Sequence, residues 1–172
     1  NVITIGENAF EYSQSLTSVV FEASSKLETI GRSAFSGAGM TTVTIPANVI
    51  TIGKRAFDYC QSLASVVFEE PSQLETIGDS AFSRTGITEV TIPANIILIE
   101  TMAFAGSMAL TTVTISCSND RLALGPLAFA GAPVVITEDA NCRILDIMIS
   151  ALNADINEDG SLVIPAEVTQ LY

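Results

Sequence analysis

The chain contains no histidine. That absence removes the usual general base and the usual zinc ligand together, so Ser-His-Asp and Cys-His catalytic sites are excluded. Basic residues are scarce as well: 7 Lys and Arg stand against 19 Asp and Glu, for a net charge of −12. Recognition of a phosphate backbone needs clustered cations that release counterions, so nucleic acid is disfavoured as a partner. No stretch reaches the roughly 18 uninterrupted apolar residues of a membrane helix, because Ser, Thr and charged residues interrupt the hydrophobic segments throughout. No transmembrane segment is therefore predicted. Cysteine is limited to Cys60, Cys117 and Cys142, too few for a disulfide framework and without the CxxC spacing of a metal or redox site.

What the chain does have is internal repetition. The phrase IGxxAF appears as Ile5-Gly6…Ala9-Phe10, Ile30-Gly31…Ala34-Phe35, Ile52-Gly53…Ala56-Phe57 and Ile77-Gly78…Ala81-Phe82, then more loosely at Ala103-Phe104 and Ala128-Phe129. The intervals from each of these phenylalanines to the next run 25, 22, 25, 22, 25. The true unit is thus a 47-residue pair of one long and one short turn, and residues 5–51 and 52–98 match at 32 of 47 positions. Self-similarity at such a period takes precedence over length in deciding architecture, and it predicts a stacked solenoid. Asn1–Gly6 repeats the sequence of Asn48–Gly53, and Ile164-Pro165-Ala166-Glu167-Val168 echoes Ile45-Pro46-Ala47-Asn48-Val49. A solenoid needs polar caps over its end faces, so the chain is expected to be a segment of a longer protein.

Each turn can be read from its pattern. Leu16-x-x-Val19-x-Phe21, Met40-x-x-Val43-x-Ile45, Leu63-x-x-Val66-x-Phe68, Ile87-x-x-Val90-x-Ile92 and Leu110-x-x-Val113-x-Ile115 end in an alternation of period two. That period, with Val, Ile, Thr and Phe in place, predicts short parallel strands, one per turn. Pro46, Pro93 and Pro165 follow such strands and would end the ladder, since proline has no amide donor. A second apolar pair, Val49 and Ile52 or Leu27 and Ile30, precedes the glycine, which permits a positive φ or close backbone approach. The Ala-Phe pair is then expected on a short helical or 3-10 turn, its ring plugging the core.

These residues resemble the BspA-type leucine-rich repeat, whose pattern reads approximately LxxIxIPxxVTxIGxxAFxxC, with Cys60 in the cysteine slot. The resemblance covers residues 1–136; Glu100 replaces the glycine in one turn, and the strand near Val134-Val135-Ile136 comes three residues early. Residues 137–161 read as a degenerate or interrupted repeat with a polar Asp/Asn turn, and 162–172 as the start of a further repeat. The resemblance implies a leucine-rich-repeat-like solenoid, α/β or mainly β, on a secreted or cell-surface protein, used for adhesion and protein contact. It offers no catalytic residues.

Candidate chemistry is sparse. Glu28 and Glu75 occupy equivalent positions one unit apart, but two stacked turns would hold them roughly 10 Å apart, and a solvated acidic edge with Glu22, Glu69 and Glu70 is the plainer role. Asp155, Asn157 and Asp159, followed by Gly160, fit the opening of a calcium loop, yet Ala166 stands where the bidentate Glu belongs. A polar Asx-rich turn is the competing reading. Cys117 and Cys142 follow the core positions Phe104 and Phe129 at the same interval, so stacking could bring them within disulfide range, although the strand between them is out of phase. The outward strand positions carry Thr42, Thr44, Val67, Glu89, Thr91, Thr112 and Thr114. Such a flat threonine-rich row also characterises ice-binding surfaces, but Val, Ser and Glu interrupt it. A small, β-branched face is better suited to contact with a protein or glycoconjugate partner.

The expectation is a non-enzymatic binding or adhesion module. The alternative is a structural spacer or self-assembling filament subunit, prompted by the apolar residues Ile144, Leu145, Ile147, Met148, Ile149 and Leu152.

Overall fold

The computed structural model describes residues 2–22, 24–116, 122–138 and 162–163. Two sheets run along a solenoid. The first contains β1 (Thr4–Ile5), β2 (Thr29–Ile30), β4 (Thr51–Ile52), β6 (Thr76–Ile77), β8 (Leu98–Ile99) and β10 (Ala123–Leu124), each paired in parallel with its neighbour. The second contains the four-residue strands β3 (Thr42–Ile45), β5 (Ser65–Phe68), β7 (Glu89–Ile92), β9 (Thr112–Ile115) and β11 (Val135–Glu138), also parallel. Beyond them, β12 (Leu162–Val163) pairs antiparallel with Val135 and Ile136. A typical turn therefore supplies two strands where its alternation pattern predicts one. The two-residue Thr-Ile strand is too short to announce itself by period.

A third backbone ladder joins the turns at the Ala-Phe segments. The amide of Phe10 donates to Ala34, Phe35 to Ala56, Phe57 to Ala81, Phe82 to Ala103 and Phe104 to Ala128, at 2.7–2.8 Å. Intervening amides bond within their own turn, as Ala56 does to Gly53 and Asp58 to Arg55, both at 3.1 Å. Residues two before and two after the ring take left-handed φ, at Arg55 (55°) and Tyr59 (60°), and at Ser80 (56°) and Arg84 (55°). A left-handed residue cannot continue a right-handed helix, so the helical turns expected here take the form of consecutive hydrogen-bonded turns instead. Their alternating amides are free to reach the next coil, which a helix would forbid.

The core is a column of six phenylalanine rings, Phe10, Phe35, Phe57, Phe82, Phe104 and Phe129, with centroids 5.1–5.4 Å apart and planes within 13° of parallel. Phe35, Phe57, Phe82 and Phe104 are wholly buried. Rows of Ile30, Ile52, Ile77 and Ile99, and of Val43, Val66, Val90 and Val113, flank the column from the two sheets. Glycine in the IG pair serves close approach: a Cβ on Gly78 would lie 2.8 Å from the carbonyl carbon of Gly53 and the amide of Lys54.

Long and short turns stay in register because the difference between them is confined to corners. Seven residues separate Phe35 from the start of β3 and eight separate Phe57 from the start of β5; six lead from Ile45 to Thr51 and eight from Phe68 to Thr76. Pro46 and Pro93 directly follow β3 and β7 and close the shorter corners.

Pairing in the second sheet is uneven. β3 with β5, β7 with β9 and β9 with β11 match over four residues, whereas β5 and β7 meet only at Ser65 opposite Glu89. In the first turn, residues 16–22 form no strand against β3, although a strand is predicted there. Truncating a buried ring in the column removes contacts on both faces, so Phe57→Ala is expected to lower stability by about 3–5 kcal/mol. Thr44→Ala, on the exposed face, should stay within about 0.5 kcal/mol. Urea denaturation of the two variants checks this, and equal midpoints would refute the placement.

Candidate binding surface

Side chains alternate along the four-residue strands, with Val43, Ile45, Val66, Phe68, Val90, Ile92, Val113 and Ile115 turned inward. The outward positions are the predicted ones. Thr42, Thr44, Val67, Glu89 and Thr91 are exposed, and Thr112 and Thr114 half-buried. Register sets them in two rows across the sheet, Thr42–Ser65–Glu89–Thr112 and Thr44–Val67 continued by Thr91–Thr114. Val20, in the first turn, is 90% exposed.

Two grooves cross this face. One, of about 360 Å³, lies over β5 and β7 and is lined by Val67, Phe68, Glu70, Glu89 and Thr91 among others. The second, of about 290 Å³, lies over residues 18–21 and β3 and includes Val20, Phe21, Thr42, Thr44 and Glu69. Both coincide with the places where pairing lapses. They are also equivalent in sequence: Ser18 and Thr42 stand one full long-plus-short unit before Ser65 and Glu89. One difference marks these turns: Phe21 and Phe68 fill the slot held by Ile45, Ile92 and Ile115. Sequence reasoning missed the grooves, although the Phe at that slot in these two turns was the available signal.

The opposite chemistry gathers on the edge formed by the Ala-Phe turns. Arg84 clamps the carboxylate of Asp58 through Nη2 at 3.0 Å to both oxygens and Nε at 3.3 Å, while its guanidinium lies 3.9 Å from the centre of the Tyr59 ring. The Asp58 side chain is only 6% exposed, and Arg55 reaches it at 4.0 Å. Lys54 pairs with Asp79 at 3.1 Å and Arg32 with Glu7 at 3.6 Å. Burial pushes the Asp79 carboxyl up, but hydrogen bonds from Ser80 and Lys54 and the charges of Lys54 and Arg55 outweigh it and hold the group below its usual range.

Beside the ring column, three residues after Phe57, Phe82 and Phe104, stand the small polar side chains of Cys60, Thr85 and Ser107. Cys60 donates its thiol to the Phe35 carbonyl at 3.0 Å; Thr85 and Ser107 donate to the Phe82 carbonyl at 3.1 and 3.0 Å. Desolvation raises the Cys60 thiol to about 11, against weaker lowering by the Ala38 and Gly37 amides. The thiol is thus a buried packing and donor group, as its slot in the pattern suggests.

Among the described residues, no group of three or more His, Cys, Asp or Glu is placed to hold a metal ion, and no helix is long and apolar enough to cross a membrane. Asp155, Asn157 and Asp159, and Cys117 and Cys142, lie outside the described residues, as do Ile144 to Leu152.

Residues 1–132 match the BspA type leucine rich repeat region in six copies. The chain belongs to the BspA-type leucine-rich repeat family. No curated protein matches it. Among solved structures, the pneumococcal vaccine antigen PcpA is similar at 22% identity and a TM-score of 0.53, over 66% of this chain and 36% of that one. A leucine-rich repeat protein of Bacteroides ovatus matches at 24% identity and a TM-score of 0.39, over 76% and 44%. A leucine rich cell surface protein of Faecalibacterium prausnitzii matches at 22% and 0.48, over 82% and 59%. The BspA-type chain therefore spans between about a third and three fifths of these relatives. The PcpA likeness supports the solenoid fold, and the family's IGxxAF phrase is the one that builds the ring column.

Two outcomes follow from the edge and the column. Arg84→Ala strips a buried carboxylate of its main partner and should cost about 1–3 kcal/mol, against less than about 1 kcal/mol for Lys54→Ala at the more exposed pair; thermal melts compare them. With Cys117 and Cys142 replaced by serine, Cys60 should resist thiol reagents until the protein unfolds. Because its folded value is raised, the stability it contributes is complete below the ordinary thiol range and declines as pH rises toward about 11. Rapid labelling of the folded protein at neutral pH would contradict this.

Proposed function

We propose that the chain is a non-enzymatic module for binding proteins, with the outward face of the second sheet as its contact surface. One observation carries the reading: Thr42, Thr44, Val67 and Thr91 stand exposed in register on a floor of buried valines. Small β-branched groups on a rigid sheet lose little side-chain entropy on contact, which favours docking over a surface of long charged chains. Leucine-rich solenoids of this family generally mediate protein interactions rather than turnover, and membership supports the same reading. Adhesion to a protein or glycoconjugate outside the cell or at its surface is the specific form proposed.

The spacer reading is favoured by a different observation, the unbroken ring column and the two continuous ladders, of Ala-Phe turns and Thr-Ile strands, that tie each turn to the next. The two are separable. Screening the protein against an array of secreted proteins and glycans should yield a partner whose affinity falls at least about tenfold in Thr44→Arg, Val67→Arg or Thr91→Arg, with melting temperatures unchanged. Retained affinity in all three variants would remove the sheet face from the contact.

A further inference from the structure

Charge is unevenly distributed over the solenoid. Of the described cations, Arg32, Lys54, Arg55 and Arg84 lie on the Ala-Phe edge and Lys26 in a corner of the first turn; the outward face of the second sheet carries none. Glu89 projects from that face, and Glu69 and Glu70 stand in the corner after β5. Backbone amides fix the last two: Ala47 donates to Glu69 at 3.3 Å and Ser72 to Glu70 at 2.9 Å. No ion pair among the described residues engages any of the three. Each groove thus joins an apolar wall, Val67 or Val20, to an uncompensated carboxylate. A Lys or Arg side chain has that dual character, with an apolar stem and a charged head.

We propose that the two grooves seat basic side chains of one extended partner segment. This rests on the sheet face being the contact surface, and it specifies what that face receives. Their spacing restricts the segment further. The grooves are two turns apart, roughly 10 Å at a strand spacing of about 4.8 Å. Along a β-strand, residues about 10 Å apart are three positions apart and point to opposite sides. In polyproline II, residues i and i+3 point the same way and lie about 9.3 Å apart. The segment that fits is a polyproline-II stretch with Lys or Arg at every third position.

The test uses a fluorescent peptide of four Lys-Pro-Pro repeats, a peptide of the same composition with its lysines contiguous, and anisotropy titration at low and high salt. The repeat peptide should bind more tightly, and more weakly as salt rises. Glu70→Gln with Glu89→Gln should weaken it about tenfold, whereas Glu28→Gln with Glu75→Gln, an equal loss of charge beside the first sheet, should change it less than about twofold. Circular dichroism verifies that both double variants fold. Equal binding of the two peptides, equal loss in the two double variants, or no binding at all would overturn the proposal. A partner found by the array that is lost with Val67→Arg but not with Glu70→Gln and Glu89→Gln would also overturn it, while leaving the sheet-face reading intact.

Discussion

Everything in this molecule is subordinate to the stacking of one aromatic ring per turn. Rings that face each other at 5.1–5.4 Å set the pitch of the solenoid, which is slightly wider than the roughly 4.7–4.9 Å that hydrogen-bonded strands prefer. The Ala-Phe ladder and the Thr-Ile strands hold that pitch on one side, where a two-residue strand and a glycine bring backbone against backbone. The four-residue strands sit across the core from this tight seam. Departure from regular pairing is found there, between β5 and β7, and not beside the rings.

The same division explains how alternating turn lengths coexist with a continuous core. Because the three additional residues of a long turn fall on either side of the four-residue strand, the ring and the Thr-Ile pair never lose step. The second sheet absorbs the irregularity. A sheet whose strands part between residues 18–21 and β3, and again between β5 and β7, is corrugated, and these two lapses lie one long-plus-short unit apart.

Much of this is legible in the sequence because repetition turns a local pattern into a long-range one. The IGxxAF phrase locates the ring column and the Val-x-Ile alternation locates the inward and outward strand faces, since both depend on spacing alone. The Thr-Ile strands are not visible, because two residues cannot display a period, and their pairing comes from Glu28, Ile30 and Ile52 carbonyls meeting amides a turn away. A helical reading of the Ala-Phe turns fails for a related reason. Their i→i+3 bonds are shared with a 3-10 turn, and the left-handed residues that distinguish them, such as Ser33, Arg55 and Met102, include types with no special liking for that conformation. Tertiary ladder bonds impose it. The clamp of Arg84 on Asp58 joins residues on different turns and becomes apparent only when those turns are stacked.

The orientation of the ladders has a mechanical consequence. Their amide-to-carbonyl bonds run along the axis of the stack, so tension applied from end to end loads the bonds between successive turns in series, and the ladders present at each interface share that load in parallel. Rupture should then proceed by peeling, each event releasing a single coil while the rest stays wound. Because the coils come in only two lengths that differ little, such a chain is expected to yield to stretch in discrete steps of nearly constant size.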